Sequence, residues 1–142
     1  VRTESTDEKK KGTAIRMITG IGVDLTELDR IEKHTDDQAF IRRVLTPEEQ
    51  SVYMKLKGSR RAEYLAGRFS AKEAYAKATG TGLGGRLSFQ DLSVLNNAEG
   101  QPVIYDHRAQ HKKQSIHVSI THTGQTAAAF VVIESPSGKS AY

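Results

Sequence analysis

The sequence has no cysteine, so neither a disulfide nor a thiolate metal site can form anywhere in its 142 residues. That suits a reducing compartment, and a cytoplasmic location is expected. Long apolar runs are missing too. Nothing approaches the roughly 20 apolar residues that cross a bilayer, and the N-terminus is polar where a secretory signal would carry its apolar stretch. No membrane partner is expected. Aromatic residues make up only 6%, which weakens a nucleic-acid reading of the net charge of +4. Lys55, Lys57, Arg60 and Arg61 would serve a basic RNA-binding module, but no stacking motif accompanies them.

Part of the charge lies in a tail. Residues 1–16 hold five basic side chains (Arg2, Lys9, Lys10, Lys11, Arg16) against three acidic ones (Glu4, Asp7, Glu8), a net of +2. Without apolar periodicity this stretch cannot repay the entropy of ordering, and a disordered extension is expected over 1–16. Residues 135–142, rich in Ser, Pro and Gly, read as a second loose tail. Between them, residues 17–134 show no repeat or dividing linker and form one domain.

Within that domain the hydrophobic period changes along the chain. Ile18 to Val23 is a short strand in which Gly20 and Gly22 mark close approach by another backbone or a ligand. Asp24 closes it, and Thr26 or Asp24 can cap a helix carrying Leu28 and Ile31. Ala39 to Leu45 suits a second short helix. Thr46-Pro47-Glu48-Glu49 is a capping-box start for a helix reaching about Leu56. After Gly58 and Ser59, a long helix runs from near Arg60 to Thr79, its Ala66 and Gly67 admitting a neighbouring backbone. Then come strands: a hairpin from Asp91–Leu95 and Pro102–Tyr105 around Asn96 to Gly100, a short helix or polar loop from His107 to Lys113, and an antiparallel pair, Ile116–Thr121 with Thr126–Ile133. The order indicates an α+β fold, an antiparallel sheet packed against a long helix.

The stretch from Phe69 to Gly82 concentrates the chemistry. Phe69, Glu73 and Lys77 recur at i, i+4 and i+8, so an anchor, an acid and a base share one helical face. A carboxylate there could hold a divalent metal while the lysine one turn on meets phosphate oxygens. The same Glu and Lys could equally form an ordinary surface pair worth about 0.2–0.5 kcal/mol, and Gly80 could simply stop the helix. Asp24 may be read as a cap or a ligand on the same terms. His122, after a strand, suits a structural hydrogen bond as well as a binding role.

Five ordered segments resolve those alternatives. Gly20-Ile21-Gly22-Val23-Asp24-Leu25-Thr26-Glu27-Leu28-Asp29-Arg30, Leu65-Ala66-Gly67-Arg68-Phe69-Ser70-Ala71-Lys72-Glu73-Ala74, Gly80-Thr81-Gly82-Leu83-Gly84, Leu87-Ser88-Phe89-Gln90-Asp91 and His117-Val118-Ser119-Ile120-Thr121-His122-Thr123 together closely resemble the holo-acyl-carrier-protein synthase family, the small bacterial class of 4′-phosphopantetheinyl transferases. The resemblance spans residues 17–134. Gly85 departs from it, standing where relatives often carry a polar or charged residue.

The resemblance implies a magnesium-dependent transfer of 4′-phosphopantetheine from coenzyme A to a serine of apo acyl carrier protein, releasing adenosine 3′,5′-bisphosphate, in fatty acid biosynthesis. It implies Asp24 and Glu73 as Mg²⁺ ligands and, with Lys77, as the catalytic set. Coenzyme A contacts fall to Arg68, Lys77, Gly80, Thr81, Gly82, His122 and Thr123, with Arg68 meeting the 3′-phosphate. Arg30, Arg42 and Arg43 are implied as contacts to the acidic carrier, although residues 29–43 balance Arg30, Lys33, Arg42 and Arg43 against Asp29, Glu32, Asp36 and Asp37. Homotrimers with sites between subunits are also implied. A coenzyme A-binding scaffold without catalysis is the rival reading.

Overall fold

The computed structural model describes residues 15–108 and 113–136. Strand β1 (Arg16–Glu27) leads into three short helices, α1 (Leu28–Glu32), α2 (Gln38–Val44) and α3 (Pro47–Tyr53), then the long α4 (Ser59–Thr79). A 3₁₀ turn (Phe89–Asp91) precedes the hairpin β2 (Leu92–Asn96) and β3 (Pro102–Asp106), followed by β4 (Ser115–His122) and β5 (Thr126–Pro136). The strands form two antiparallel sheets, β1-β5-β4 and β2-β3. The expected α+β architecture is therefore present, with α4 lying on the three-stranded sheet.

Alternation along the strands decides which face α4 covers. Ala127, Ala129, Val131 and Ile133 of β5 are buried, and Ile116, Val118 and Ile120 of β4 pack onto the same core. Opposite them, α4 presents mostly alanine: Ala71, Ala74, Ala76 and Ala78 are buried there with Tyr75. Small side chains on both partners bring backbone to backbone. A Cβ built on Gly20 or Gly22 would collide with the carbonyl oxygen of Ala78 or Ala74 respectively, so the strand glycines do mark close approach. The helix side of that contact is Ala74 and Ala78 rather than Ala66 and Gly67. Gly67 faces a side-chain methyl of Ile120.

Several boundaries differ from expectation for identifiable reasons. β1 does not stop at Asp24, because β5 continues to pair with it through Glu27. Neither Asp24 nor Thr26 caps α1: Glu27 stands at that position without a side-chain cap bond. The capping box at Thr46 and Glu49 forms as read, but its helix ends at Tyr53. β5 extends to Pro136, so Ser135 and Pro136 belong to the sheet, paired with Met17 and Arg16. Arg16, expected in the first tail, likewise belongs to β1; residues 1–14 and 137–142 of the tails expected at 1–16 and 135–142, and the centre of the His107–Lys113 segment, lie outside the described residues.

Candidate active site

The acids meet where β1 crosses α4. Asp24 follows the Gly20/Gly22 contact on the inward face of β1, and Glu73 precedes Ala74 at the helix side of that contact. Burial raises the Glu73 carboxyl above its ordinary range and the Asp24 charge raises it further, with Lys77 pulling the other way. Instead of the alternative surface pair with Glu73, Lys77 Nζ reaches across to β1, donating to Val23 O at 3.0 Å and to Asp24 Oδ1 at 3.2 Å. Lys77 is 55% exposed at its side chain and Asp24 only 13%. The other Asp24 oxygen, Oδ2, accepts from Thr26 Oγ1 and Ser70 Oγ, both at 3.1 Å.

Sequence reasoning missed Ser70 and Thr26 as members of this cluster. The periods could have found them. Ser70 precedes Glu73 by three positions, one helical turn on the same face, and Thr26 follows Asp24 by two, the same face of the strand.

The remaining phosphate candidates divide between positions along α4. Gly80 ends the helix with φ of 79°, its N–H donating to Lys77 O at 3.1 Å. Gly82 follows with φ of 67° and donates to Ala76 O at 3.2 Å. The hydroxyls of Thr81 and Thr79 lie 2.9 Å apart. This loop therefore opens beside Lys77, at the same end of α4.

Arg68 and His122 sit elsewhere. The Arg68 guanidinium donates to Val94 O at 3.3 Å and Asn96 Oδ1 at 3.1 Å and stacks 4.1 Å over the Tyr64 ring. It is held against the hairpin and shares no partner with the Asp24 cluster. His122 ends β4, in register with Ala127, which in turn pairs with Thr26, so β5 separates it from β1. Thr123 shapes the following turn, its hydroxyl accepting the N–H groups of Gln125 and Thr126 at 3.1 Å each. One chain thus gathers Asp24, Glu73 and Lys77 on the β1 flank of α4, and leaves Arg68 and His122 toward the β4 and hairpin flank. Between β3 and β4 on that flank opens a cleft of about 440 Å³, lined by Pro102, Val103, Ile116, Val118 and Ile120 among others.

Arg30, Arg42 and Arg43, the arginines the resemblance implies for the carrier, are exposed. Folding removes two of the acids that balanced them: Asp36 pairs with Arg61 at 2.9 Å, and Asp37 caps α2 while contacting His34 at 3.2 Å. Among the described residues no ion pair engages Arg30, Arg42 or Arg43, and the Arg43 guanidinium lies 5.5 Å from the Phe40 ring centre.

Behind the site, Lys72 is fully buried. Its Nζ donates to Glu49 Oε1 and Val44 O at 2.6 Å each and to Phe89 O at 3.1 Å. Glu49 also accepts from the Thr46 N–H at 2.8 Å and, through Oε2, from the Val94 N–H at 2.8 Å. Burial pushes the Lys72 ammonium down from its usual range, and Glu49 opposes that shift.

Two carboxylates close enough to feel each other's charge, with hydroxyl support at Asp24, suit magnesium, which takes hard oxygens and retains several waters. No group of three or more His, Cys, Asp or Glu side chains gathers as a metal site among the described residues, so the donor set does not resemble a protein-saturated zinc or calcium site. Nor is any described helix long and apolar enough to cross a membrane.

Comparison with known proteins identifies the family. The sequence model of the 4′-phosphopantetheinyl transferase superfamily matches residues 20–131. Holo-[acyl-carrier-protein] synthase of Bacillus cytotoxicus is 48% identical over 122 residues, covering 85% of this chain and 99% of that protein. Among solved structures, a holo-(acyl-carrier-protein) synthase from Bacillus anthracis in complex with CoA (3′,5′-ADP) is 48% identical with a TM-score of 0.77, covering 84% of this chain and 98% of the other. The Neisseria meningitidis synthase is 38% identical with a TM-score of 0.74, over 82% and 98% of the two chains. With the match running from the β1 glycines to β5 and including both acids, the chain belongs to the holo-[acyl-carrier-protein] synthase family of the 4′-phosphopantetheinyl transferase superfamily.

Proposed function

We propose that this enzyme transfers 4′-phosphopantetheine from coenzyme A to a serine hydroxyl of apo acyl carrier protein. The serine oxygen forms a bond to the pantetheine-side phosphorus, the bond from that phosphorus to the bridging oxygen breaks, and adenosine 3′,5′-bisphosphate leaves. The serine proton passes to a base at the site. The observation that carries the reading is the convergence of Asp24, Glu73 and Lys77 at the β1–α4 contact in a chain 48% identical to holo-[acyl-carrier-protein] synthases.

Asp24 and Glu73 would hold Mg²⁺, which when bound neutralises charge on the pyrophosphate. Lys77 uses two of its three N–H donors on β1 and keeps the third for a phosphate oxygen. The Gly80-Thr81-Gly82 loop, anchored to the same end of α4, offers close approach to the nucleotide. Arg30, Arg42 and Arg43 would steer the acidic carrier, raising the encounter rate more than the final affinity. The test is direct: incubation with apo acyl carrier protein, coenzyme A and Mg²⁺ adds one phosphopantetheine mass to the carrier serine by mass spectrometry. Coenzyme A binding with no mass gain would leave a non-catalytic scaffold.

We also propose a homotrimer in which each site is shared. Arg68 and His122 lie across α4 from the acids of their own chain, so a neighbour's Arg68 and His122 would complete the phosphate contacts. An apolar surface suited to association is available. The outer face of the three-stranded sheet exposes Ile21 (62%), Val23 (58%), Leu25 (71%) and Phe130 (47%), with Val23 paired to Phe130. Leu25→Glu should therefore leave the chain folded but convert it to monomer in sedimentation, with transfer activity falling in parallel. A fully active monomer would remove the shared-site reading.

A further inference from the structure

Three oxygens at the base of the acid cluster form a closed triangle. Thr26 Oγ1 and Ser70 Oγ lie 2.6 Å apart, and each lies 3.1 Å from Asp24 Oδ2. Both hydroxyl-bearing residues are buried, Thr26 at 5% exposure and Ser70 at 0%. Two hydroxyl hydrogens must serve three short contacts. If both point at Oδ2, the contact between the hydroxyls carries no hydrogen; otherwise one hydroxyl donates to the other, which donates to Oδ2. Either way, Oδ2 receives at least one hydrogen bond.

The opposite oxygen is held differently. Among the described residues Oδ1 meets only the Lys77 ammonium, at 3.2 Å, on a side chain more than half exposed. Asp24 is thus asymmetric, one oxygen held by buried hydroxyls and the other facing a half-exposed ammonium. We propose that Ser70 and Thr26 are positioning residues that fix the Asp24 carboxylate through Oδ2, leaving Oδ1 as the oxygen available to Mg²⁺. Ser70 shares the α4 face with Glu73 and Lys77, so a single helix delivers one acid, one cation and the hydroxyl that orients the opposing acid. Outer hydrogen-bond partners of metal-binding carboxylates typically change metal affinity by about 10–100-fold.

This inference rests on the magnesium reading of Asp24 and Glu73, and the experiment separates the two. Coenzyme A binding is titrated calorimetrically at increasing Mg²⁺ for the full-length parent, Ser70→Ala, Thr26→Val and Thr26→Ser, with circular dichroism confirming the fold. The Mg²⁺ concentration giving half of the full enhancement should rise about 10-fold or more in Ser70→Ala and Thr26→Val. It should stay near the parent value in Thr26→Ser, which keeps the hydroxyl and loses only the methyl. Unchanged Mg²⁺ midpoints in Ser70→Ala and Thr26→Val, equal loss in Thr26→Ser and Thr26→Val, or unfolding of both hydroxyl-deleted variants would each overturn the positioning role. A parent whose coenzyme A binding ignores Mg²⁺ would instead overturn the magnesium reading, and this proposal with it.

Discussion

Replacing Glu73 with glutamine is expected to lower turnover on apo acyl carrier protein by about 10³-fold or more while leaving the protein at least as stable as before. Electrostatic stabilisation at a metal-assisted phosphoryl transfer amounts to several kcal/mol, and each 1.36 kcal/mol is tenfold in rate, about the size predicted. Stability should move the other way. Burial and the facing Asp24 charge both work against an ionised Glu73, so at neutral pH the metal-free protein gives up folding free energy to keep that acid charged. Glutamine has nearly the same shape and removes the repulsion. A metal-free melting temperature equal to or above the parent's, together with the lost turnover, would identify a residue kept for chemistry. Near-parent turnover would remove Glu73 from the site.

Lys72, its neighbour on α4, should behave in the opposite manner. Lys72→Met leaves the Glu49 carboxylate buried with only its Thr46 and Val94 donors, and breaking a buried ion pair by removing one partner costs about 3–5 kcal/mol. That is a large share of the roughly 5–15 kcal/mol that holds a domain together. The melting temperature should fall by about 10 °C or more. The double variant Lys72→Met/Glu49→Gln should recover part of the loss, because the orphaned charge is gone; strict additivity would mean the two side chains are not coupled. Because Lys72 joins α4 to the carbonyls of Val44 and Phe89, the single variant should also become more protease-sensitive around α2 and the 3₁₀ turn.

How much of this was legible depended on whether a signal was local. The capping box at Thr46 and Glu49, the hairpin around Asn97 and the β4–β5 pair could be read because neighbouring residues set them. Gly20 and Gly22 announced a close contact, yet nothing nearby revealed that Ala74 and Ala78 would supply it. The end of β1 was misplaced because Asp24 and Thr26 look like caps in a short window, whereas distant β5 keeps the strand extended. Helical spacing singles out Glu73 and Lys77 locally, and the family resemblance joins Asp24 to them. What the linear pattern could not supply was the division of Arg68 and His122 from the acids, since that depends on which flank of α4 each faces. Lys72 was legible only as part of a motif; its burial against Glu49, 23 residues earlier, is a tertiary fact.

The missing side chains at Gly20 and Gly22 act as a spacer for the proposed Asp24–Glu73 pair. Asp24 lies two residues beyond Gly22, and Glu73 lies one residue before the Ala74 carbonyl that Gly22 touches. A methyl group at Gly22 would pry strand and helix apart, and with them the two carboxylates, without altering either acid. The separation on which the proposed chemistry depends is thus set by an absence, at a buried position packed against the α4 backbone.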